Sequence, residues 1–402
     1  MNKTFLKVPA FFKAGKIKIL FVTTEAAPFA IVGGLGRVMY SLPKALLEKG
    51  YDCRLFLPKY ATSIISECVL TKEIERLEVA KKDPHGLFVC NVLRCEREKE
   101  PVVYFLENQE YYEKRANVYG YVDDSVRWVL LSKGVLEFIR KSDWRPDVIV
   151  ASDWQTGFVT NLLATDYKDD AVLSRIAAVF SIHNLHYQGT FDHRFISEMD
   201  FDAGQAPVPD FDDPRINKLN GMRRGIMNAD VITTVSPTYS REILQPEHGE
   251  GLDELLKERR ARLFGALNGI DYDLFNPATD THIKANYSVS NFMKAKPENK
   301  LALQKQFGLK EDKDAFLIGI VSRMDQQKGF DLIMEISDQL FQNLDFQLVV
   351  VGEGDNKYRL FFQSLEKKYS QRIGGHYFFD PVLPRMIFAG ADAILVPSLF
   401  EP

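Results

Sequence analysis

The sequence predicts an α/β protein of two facing, doubly wound domains with a cleft between their strand ends, and three observations carry that prediction. Short apolar runs alternate with amphipathic stretches from Ile17 almost to the last residue, the pattern of strand-helix-strand units on a parallel sheet. Polar or glycine-rich residues follow those runs directly, where open parallel sheets place their ligands. One stretch dense in glycine, asparagine and proline, ALNGIDYDLFNP at 266–277, interrupts the alternation. It sets domains of 1–268 and 269–402.

In the first half, IKILFVTT reads as a buried strand. Glu25 and a proline turn follow, then IVGGLGRV, then a helix through MYSLPKALLEKG that ends at Gly50. Gly33, Gly34 and Gly36 lack a Cβ, so this turn either lets a ligand approach amide groups that form an anion nest or packs a strand tightly on a helix. YDCRLFLPKY and PVVYFLE are further strands, and the mixed-charge segment between them predicts an antiparallel excursion or edge hairpin. Residues 125–140 form an amphipathic helix, and PDVIVASDW is a strand ending in Ser152, Asp153 and Trp154. AAVFSIHNLHYQG repeats the arrangement with His183, Asn184, His186, Tyr187 and Gln188. A histidine there is either a hydrogen-bonded core residue or an acid-base group. From Phe191 to Leu219 the chain is irregular and acidic, as a surface loop or a lid would be, before DVITTVSPTYSREIL gives another strand, turn and helix.

The second half opens with the helix LALQKQFGL and the strand FLIGIV, which meets a polar turn holding Arg323 and Lys328 before a helix begins at Gly329. Two cations at a strand's carboxyl end beside a helix N-terminus suit a diphosphate clamp, although solvated loop charges would look the same. FQLVVVGEGD, a lysine-rich helix from Asn356 and DAILVPSLFEP complete the alternation. HExxH, GxxxxGK[ST] and GxSxG do not occur.

With 402 residues, 46% hydrophobic and 26% charged, the chain reads as a soluble globular protein, and its net charge of -4 argues against a nucleic-acid partner or a polybasic membrane contact. A sugar or nucleotide substrate fits better. No apolar run approaches a membrane span, and lysines and a proline break the opening MNKTFLKVPAFFKAGK, so no signal peptide is expected and the cytoplasm is the expected compartment. Cys53, Cys68, Cys90 and Cys95 are scattered and are expected to be reduced structural thiols.

The motifs FSIHNLHYQG, VITTVSPTYSREI, PEHGEGLDELLKERRARLFGALNGIDYDLFNP, NKLALQKQFGL, VSRMDQQKGFDL and AGADAILVPSLFEP resemble those of the bacterial-type glycogen and starch synthases. The resemblance implies two facing Rossmann-like domains of the GT-B type. It implies a retaining transfer of glucose from ADP-glucose, or UDP-glucose, to the nonreducing end of an α-1,4-glucan such as glycogen. On that resemblance Arg323 and Lys328 bind the diphosphate and stabilise the charge that grows on it, so no metal or other cofactor is implied. Glu401 lies by the glucosyl ring and His183 near its 6-hydroxyl. Asn268 and Phe379 fall near the donor, the latter beside the adenine, while Glu25, Gly33, Gly34, Asp153, Asn184 and Gln188 fall on first-domain loops that bind substrate.

Several positions depart from the family pattern: Ile31 stands for the lysine of Lys-x-Gly-Gly-Leu, Arg37 for an acidic residue, and Ser152 for the histidine of His-Asp-Trp. Leu399 stands for the arginine of Pro-Ser-Arg-Phe-Glu-Pro, and a His-Arg pair reads as Arg385 and Met386. In the family a glycine turn and further helices follow the equivalents of Glu401 and Pro402, which makes a fragment of a longer protein or a decayed paralogue the expectation. An inert glucan- or nucleotide-binding relic, or a same-fold transferase with another sugar donor, are the alternatives.

Overall fold

Strand β1 (Lys18–Val22) pairs in parallel with β2 (Asp52–Pro58) on one side and β6 (Val148–Ser152) on the other, the arrangement that makes a topological switch point. The computed structural model describes residues 16–63, 68–81, 86–189 and 202–402, and these divide into two compact units that part between Gly269 and Ile270.

In the first unit the chain leaves β1 for α1 (Gly34–Glu48) and returns as β2. It then makes the antiparallel edge of β3 (Thr71–Ala80), β4 (Leu87–Cys95) and β5 (Val102–Glu107), with β5 pairing parallel to β2. Helix α2 (Asp124–Lys141) crosses to β6, α3 (Asp153–Ala164) leads to β7 (Ala177–Ile182), and α4 (Gly221–Asn228) to β8 (Val231–Thr234). Two short helices, α5 (Tyr239–Glu242) and α6 (Asp253–Glu258), precede β9 (Leu263–Gly265). The sheet order is β3-β4-β5-β2-β1-β6-β7-β8-β9. Leu20, Val22, Phe56, Ile149, Phe180 and Ile182 are buried on its central strands, as near-continuous apolar runs covered by helices require.

The second unit begins with α7 (Phe292–Gln306) and runs β10 (Leu317–Val321), α8 (Phe330–Asn343), β11 (Gln347–Val351), α9 (Asn356–Lys368), β12 (Ile373–His376), α10 (Leu383–Gly390) and β13 (Ala393–Ile394). Its sheet is parallel in the order β12-β11-β10-β13, so the switch point falls between β10 and β13.

Three details depart from the sequence reading. Helix α2 is buried on almost every face, not amphipathic: Trp128, Leu131, Leu136 and Phe138 pack in the core while Arg127 is enclosed and donates to Asp124 Oδ1 at 2.5 Å, Tyr111 O at 2.7 Å and Val118 O at 2.9 Å. A buried guanidinium is tolerable only with such partners. Second, Cys68 is bonded to Cys95 with Cα atoms 5.9 Å apart, which corrects the expectation of four free thiols. Antiparallel pairing of β3 on β4 brings together residues 27 apart in sequence, a pairing that short-range spacing cannot show. Cys53 and Cys90 are free and buried, and burial pushes their thiols up to about 12 and about 11, so they are inert. Third, the part of the acidic stretch that is described, 202–219, is packed: Val208 and Phe211 are buried and Asp202 pairs with the buried Arg224 at 2.7 Å. Residues 191–201 lie outside the described residues.

Candidate active site

The carboxyl ends of β1, β6 and β7 are neighbours in the first sheet, so the loops after them converge. Glu25, buried just past β1, accepts through Oε2 from the amides of Val32 at 2.6 Å and Gly33 at 2.9 Å, and through Oε1 from the Tyr119 hydroxyl at 2.6 Å. Tyr119 also lies 2.6 Å from Thr24 Oγ1. The carboxylate therefore holds the glycine turn in shape. The Gly33 amide is committed to it, which corrects the picture of an anion nest with free N–H groups at that position. A Cβ on Gly33 or Gly34 would meet nothing within 4 Å, so the turn opens onto free space in this unit. Ile31 is 42% exposed on the same turn.

Asp153 opens α3 with φ of 57°, a left-handed conformation that Asp tolerates better than most residues. Its Oδ1 accepts from the amides of His183 at 2.7 Å and Asn184 at 3.2 Å, across the strand pair β6–β7. Burial pushes this carboxyl up to about 7 against those two hydrogen bonds, and the Glu25 charge pushes the same way. Burial holds His183 down to about 4, so its imidazole is neutral at physiological pH, with Nε2 3.1 Å from Ser181 Oγ. Asn184 Oδ1 accepts from the His186 amide at 3.0 Å. Gln188 is buried: its Nε2 donates to Glu250 O at 2.8 Å and its Oε1 accepts from Asn220 at 2.7 Å, so its amide fixes loops to one another. Ser152, in place of the family histidine, is buried against Met39 Sδ at 3.2 Å.

In the second unit the loops after β10 and β13 meet at the switch point. Asp325 Oδ1 accepts from the Lys328 amide at 3.2 Å and caps the short turn Gln326–Lys328, which sets the lysine's position. Lys328 Nζ donates to Glu401 Oε1 at 2.5 Å, and the Ser398 hydroxyl donates to the same oxygen at 2.6 Å. Gln327 binds the other loop twice, accepting from the Leu399 amide at 2.8 Å and donating to Phe400 O at 3.2 Å. Gly329 has φ of 69° and sits where a Cβ would come within 2.0 Å of Pro397 O, so only glycine lets the two loops close. Arg323 pairs with Asp325 at 3.2 Å and is half exposed. Arg323, Lys328 and Glu401 are thus brought to one sheet end. Backbone hydrogen bonds from Met324 N to Glu353 O and from Asp355 N to Met324 O, both 2.8 Å, stitch the loop after β11 to the same place.

Phe379 is 66% exposed in the loop between β12 and α10. Asn268 is exposed just beyond β9, in the first unit. Arg385 pairs with Asp280 at 2.7 Å and donates to Leu274 O at 2.7 Å, bracing the segment that opens the second unit. Among the described residues no group of three or more His, Cys, Asp or Glu could hold a metal ion. No helix among them is long and apolar enough to cross a membrane. Sequence reasoning missed Tyr119, Asp325 and Ser398. Tyr119 carries no local signal, since it reaches Glu25 from 94 residues away. Ser398 and Asp325 were legible as polar residues at strand ends.

Comparison with known proteins gives the chain's relatives. A starch synthase catalytic domain model matches residues 18–258, and a glycosyl transferases group 1 model matches residues 303–402. The glycogen synthase of Clostridium beijerinckii is 40% identical over 395 residues, covering 96% of this chain and 79% of that protein. That of Clostridium perfringens is 41% identical over 386 residues, with the same coverage of 96% and 79%. The catalytic domain of starch synthase IV from Arabidopsis thaliana, solved bound to ADP and acarbose, superposes with a TM-score of 0.83 at 31% identity, covering 96% of this chain and 79% of that one. This chain belongs to the glycogen and starch synthase family of glycosyltransferases.

Proposed function

We propose that the chain transfers glucose from ADP-glucose to the nonreducing 4-hydroxyl of an α-1,4-glucan with retention at the anomeric carbon. The observation that supports this most is the cation pair at the β10–β13 switch point, Arg323 and Lys328, set by the Asp325 turn. As the bond from the anomeric carbon to the diphosphate oxygen breaks, negative charge accumulates on the diphosphate. Two preplaced cations stabilise it where it grows, and no metal ion is required for that step. In exchange, the acceptor oxygen bonds to the anomeric carbon, and its proton leaves with the departing ADP.

Glu401 holds Lys328 before the donor arrives, and a diphosphate competes for the same ammonium group. A neutral His183 offers a hydrogen bond to a sugar hydroxyl without placing a cation beside the oxocarbenium-like carbon. Phe379, exposed in the loop after β12, offers a face for the adenine. Asn268 and Asn184 are assigned to the sugar and donor, whereas Glu25 and Gln188 act by shaping the loops. The Arabidopsis starch synthase was solved with ADP, which favours the adenine nucleotide over UDP-glucose. The proposed compartment is the cytoplasm.

The test is incorporation of labelled glucose from ADP-glucose and from UDP-glucose into glycogen. Transfer from ADP-glucose, released again by an α-1,4-specific amylase, is the expected result. Binding of glycogen without incorporation from either donor would overturn the assignment.

A further inference from the structure

We propose that Asp153 is a positioning residue, which acts on the transfer by fixing the backbone that carries His183 rather than by touching the sugar; this rests on the functional reading above. Three observations carry it. The Oδ1 atom spans two successive amides, those of His183 and Asn184, at 2.7 and 3.2 Å, so a single oxygen sets the direction of the loop leaving β7. Asp153 does so from a backbone at φ 57°, a left-handed conformation that a non-glycine residue keeps only where the surroundings impose it. The His183 ring is held separately, by Ser181 Oγ at 3.1 Å from Nε2, and Ser181 pairs directly with Ser152, the residue before Asp153.

Backbone and ring of the histidine are thus both referenced to the β6–β7 pair. Glu25 repeats the device one strand away, its Oε2 spanning the amides of Val32 and Gly33. Two adjacent strand ends therefore each present a carboxylate that chelates two amides of a neighbouring loop. Asp153 Oδ2 takes no hydrogen bond among the described residues, and a direct substrate contact would use that atom.

The left-handed backbone makes the test clean. Asp153→Gly removes the acceptor and suits φ 57° without strain, while Asp153→Asn keeps an oxygen to accept from both amides but abolishes the charge. Both variants and the parent chain are compared for kcat, for KM toward ADP-glucose and for hydrogen exchange of the peptide containing His183 and Asn184. Asp153→Asn is expected within about threefold of the parent in kcat with exchange unchanged, because a neutral oxygen still accepts. Asp153→Gly is expected to lose about 10²-fold in kcat, the scale of an ångström of misplacement, with little change in KM and with faster exchange at 183–184.

An Asn variant as slow as the Gly variant overturns the proposal and gives the carboxylate a direct role. So does a Gly variant with exchange unchanged at 183–184. If the parent chain transfers no glucose, the functional reading falls by itself, and the exchange of the Gly variant still decides whether the clamp exists.

Discussion

Replacing Gly329 by alanine strikes the point where the two loops of the second unit touch. A Cβ there would lie 2.0 Å from Pro397 O and 2.8 Å from its carbonyl carbon, and both obstacles are backbone. Relief requires the loops after β10 and β13 to part by about 1 Å, and misplacement on that scale costs about 10²-fold in rate. Holding alanine at φ 69° adds roughly 1 to 2 kcal/mol of backbone strain. The moved atoms include Lys328, one residue before Gly329, and Glu401, four residues after Pro397, so their 2.5 Å hydrogen bond lengthens. Calorimetric titration with ADP and turnover with ADP-glucose measure the effect, with far-ultraviolet circular dichroism reporting the fold. Weakened ADP binding and a kcat near one hundredth of the parent value are expected, with the helices intact. Parent-like binding and turnover would refute the view that contact between these loops sets the lysine.

Other perturbations test other parts. Asp153 and His183 give opposite slopes of stability with pH. A carboxyl raised to about 7 binds a proton in the fold that the unfolded chain has lost above its ordinary value, so stability falls as pH rises from about 4 to about 7. An imidazole lowered to about 4 refuses a proton that the unfolded chain takes below about 6.5, so stability falls as pH drops from about 6.5 to about 4. The two nearly cancel in the parent chain, and Asp153→Asn is expected to uncover the histidine slope in urea melts across that range; parallel pH curves would count against it. Tyr119→Phe leaves the buried Glu25 one partner short and should cost about 1 to 3 kcal/mol, read by the same melts. Arg385→Ala strands the enclosed Asp280 and should cost about 3 kcal/mol or more, unless urea melts show the second unit unchanged. Reducing the 27-residue loop closed by Cys68 and Cys95 should lower stability by about 3 kcal/mol, with two thiols becoming alkylatable; no change with reductant would contradict it.

Much of the fold was legible because parallel strands covered on both faces leave continuous apolar runs, such as LIGIV in β10 and QLVVV in β11, whose members are mostly buried. The edge hairpin β3–β4 was legible from its alternation of charge and apolar residues. Short elements were not: β9 and β12 have three and four residues, and IGGH in β12 carries two glycines that hide a strand. Helix α2 misled because its polar residues are enclosed: carbonyls of the loop just before the helix, Tyr111 O and Val118 O, satisfy Arg127, and a helical period does not show such partners. At the site, residue types at strand ends were readable, since every open parallel sheet offers the same edge. What those residues bind was not readable. Glu25 and Asp153 look like ligand carboxylates in sequence, yet their oxygens accept from the chain's own amides, and only the neighbouring of β1, β6 and β7 reveals it.

If Arg323 and Lys328 act on charge that appears as the donor bond breaks, the single-turnover rate of Lys328→Met at saturating ADP-glucose must fall. A rate about 10²- to 10³-fold below that of the parent chain is expected, not restored by more donor. A rate equal to that of the parent would contradict it.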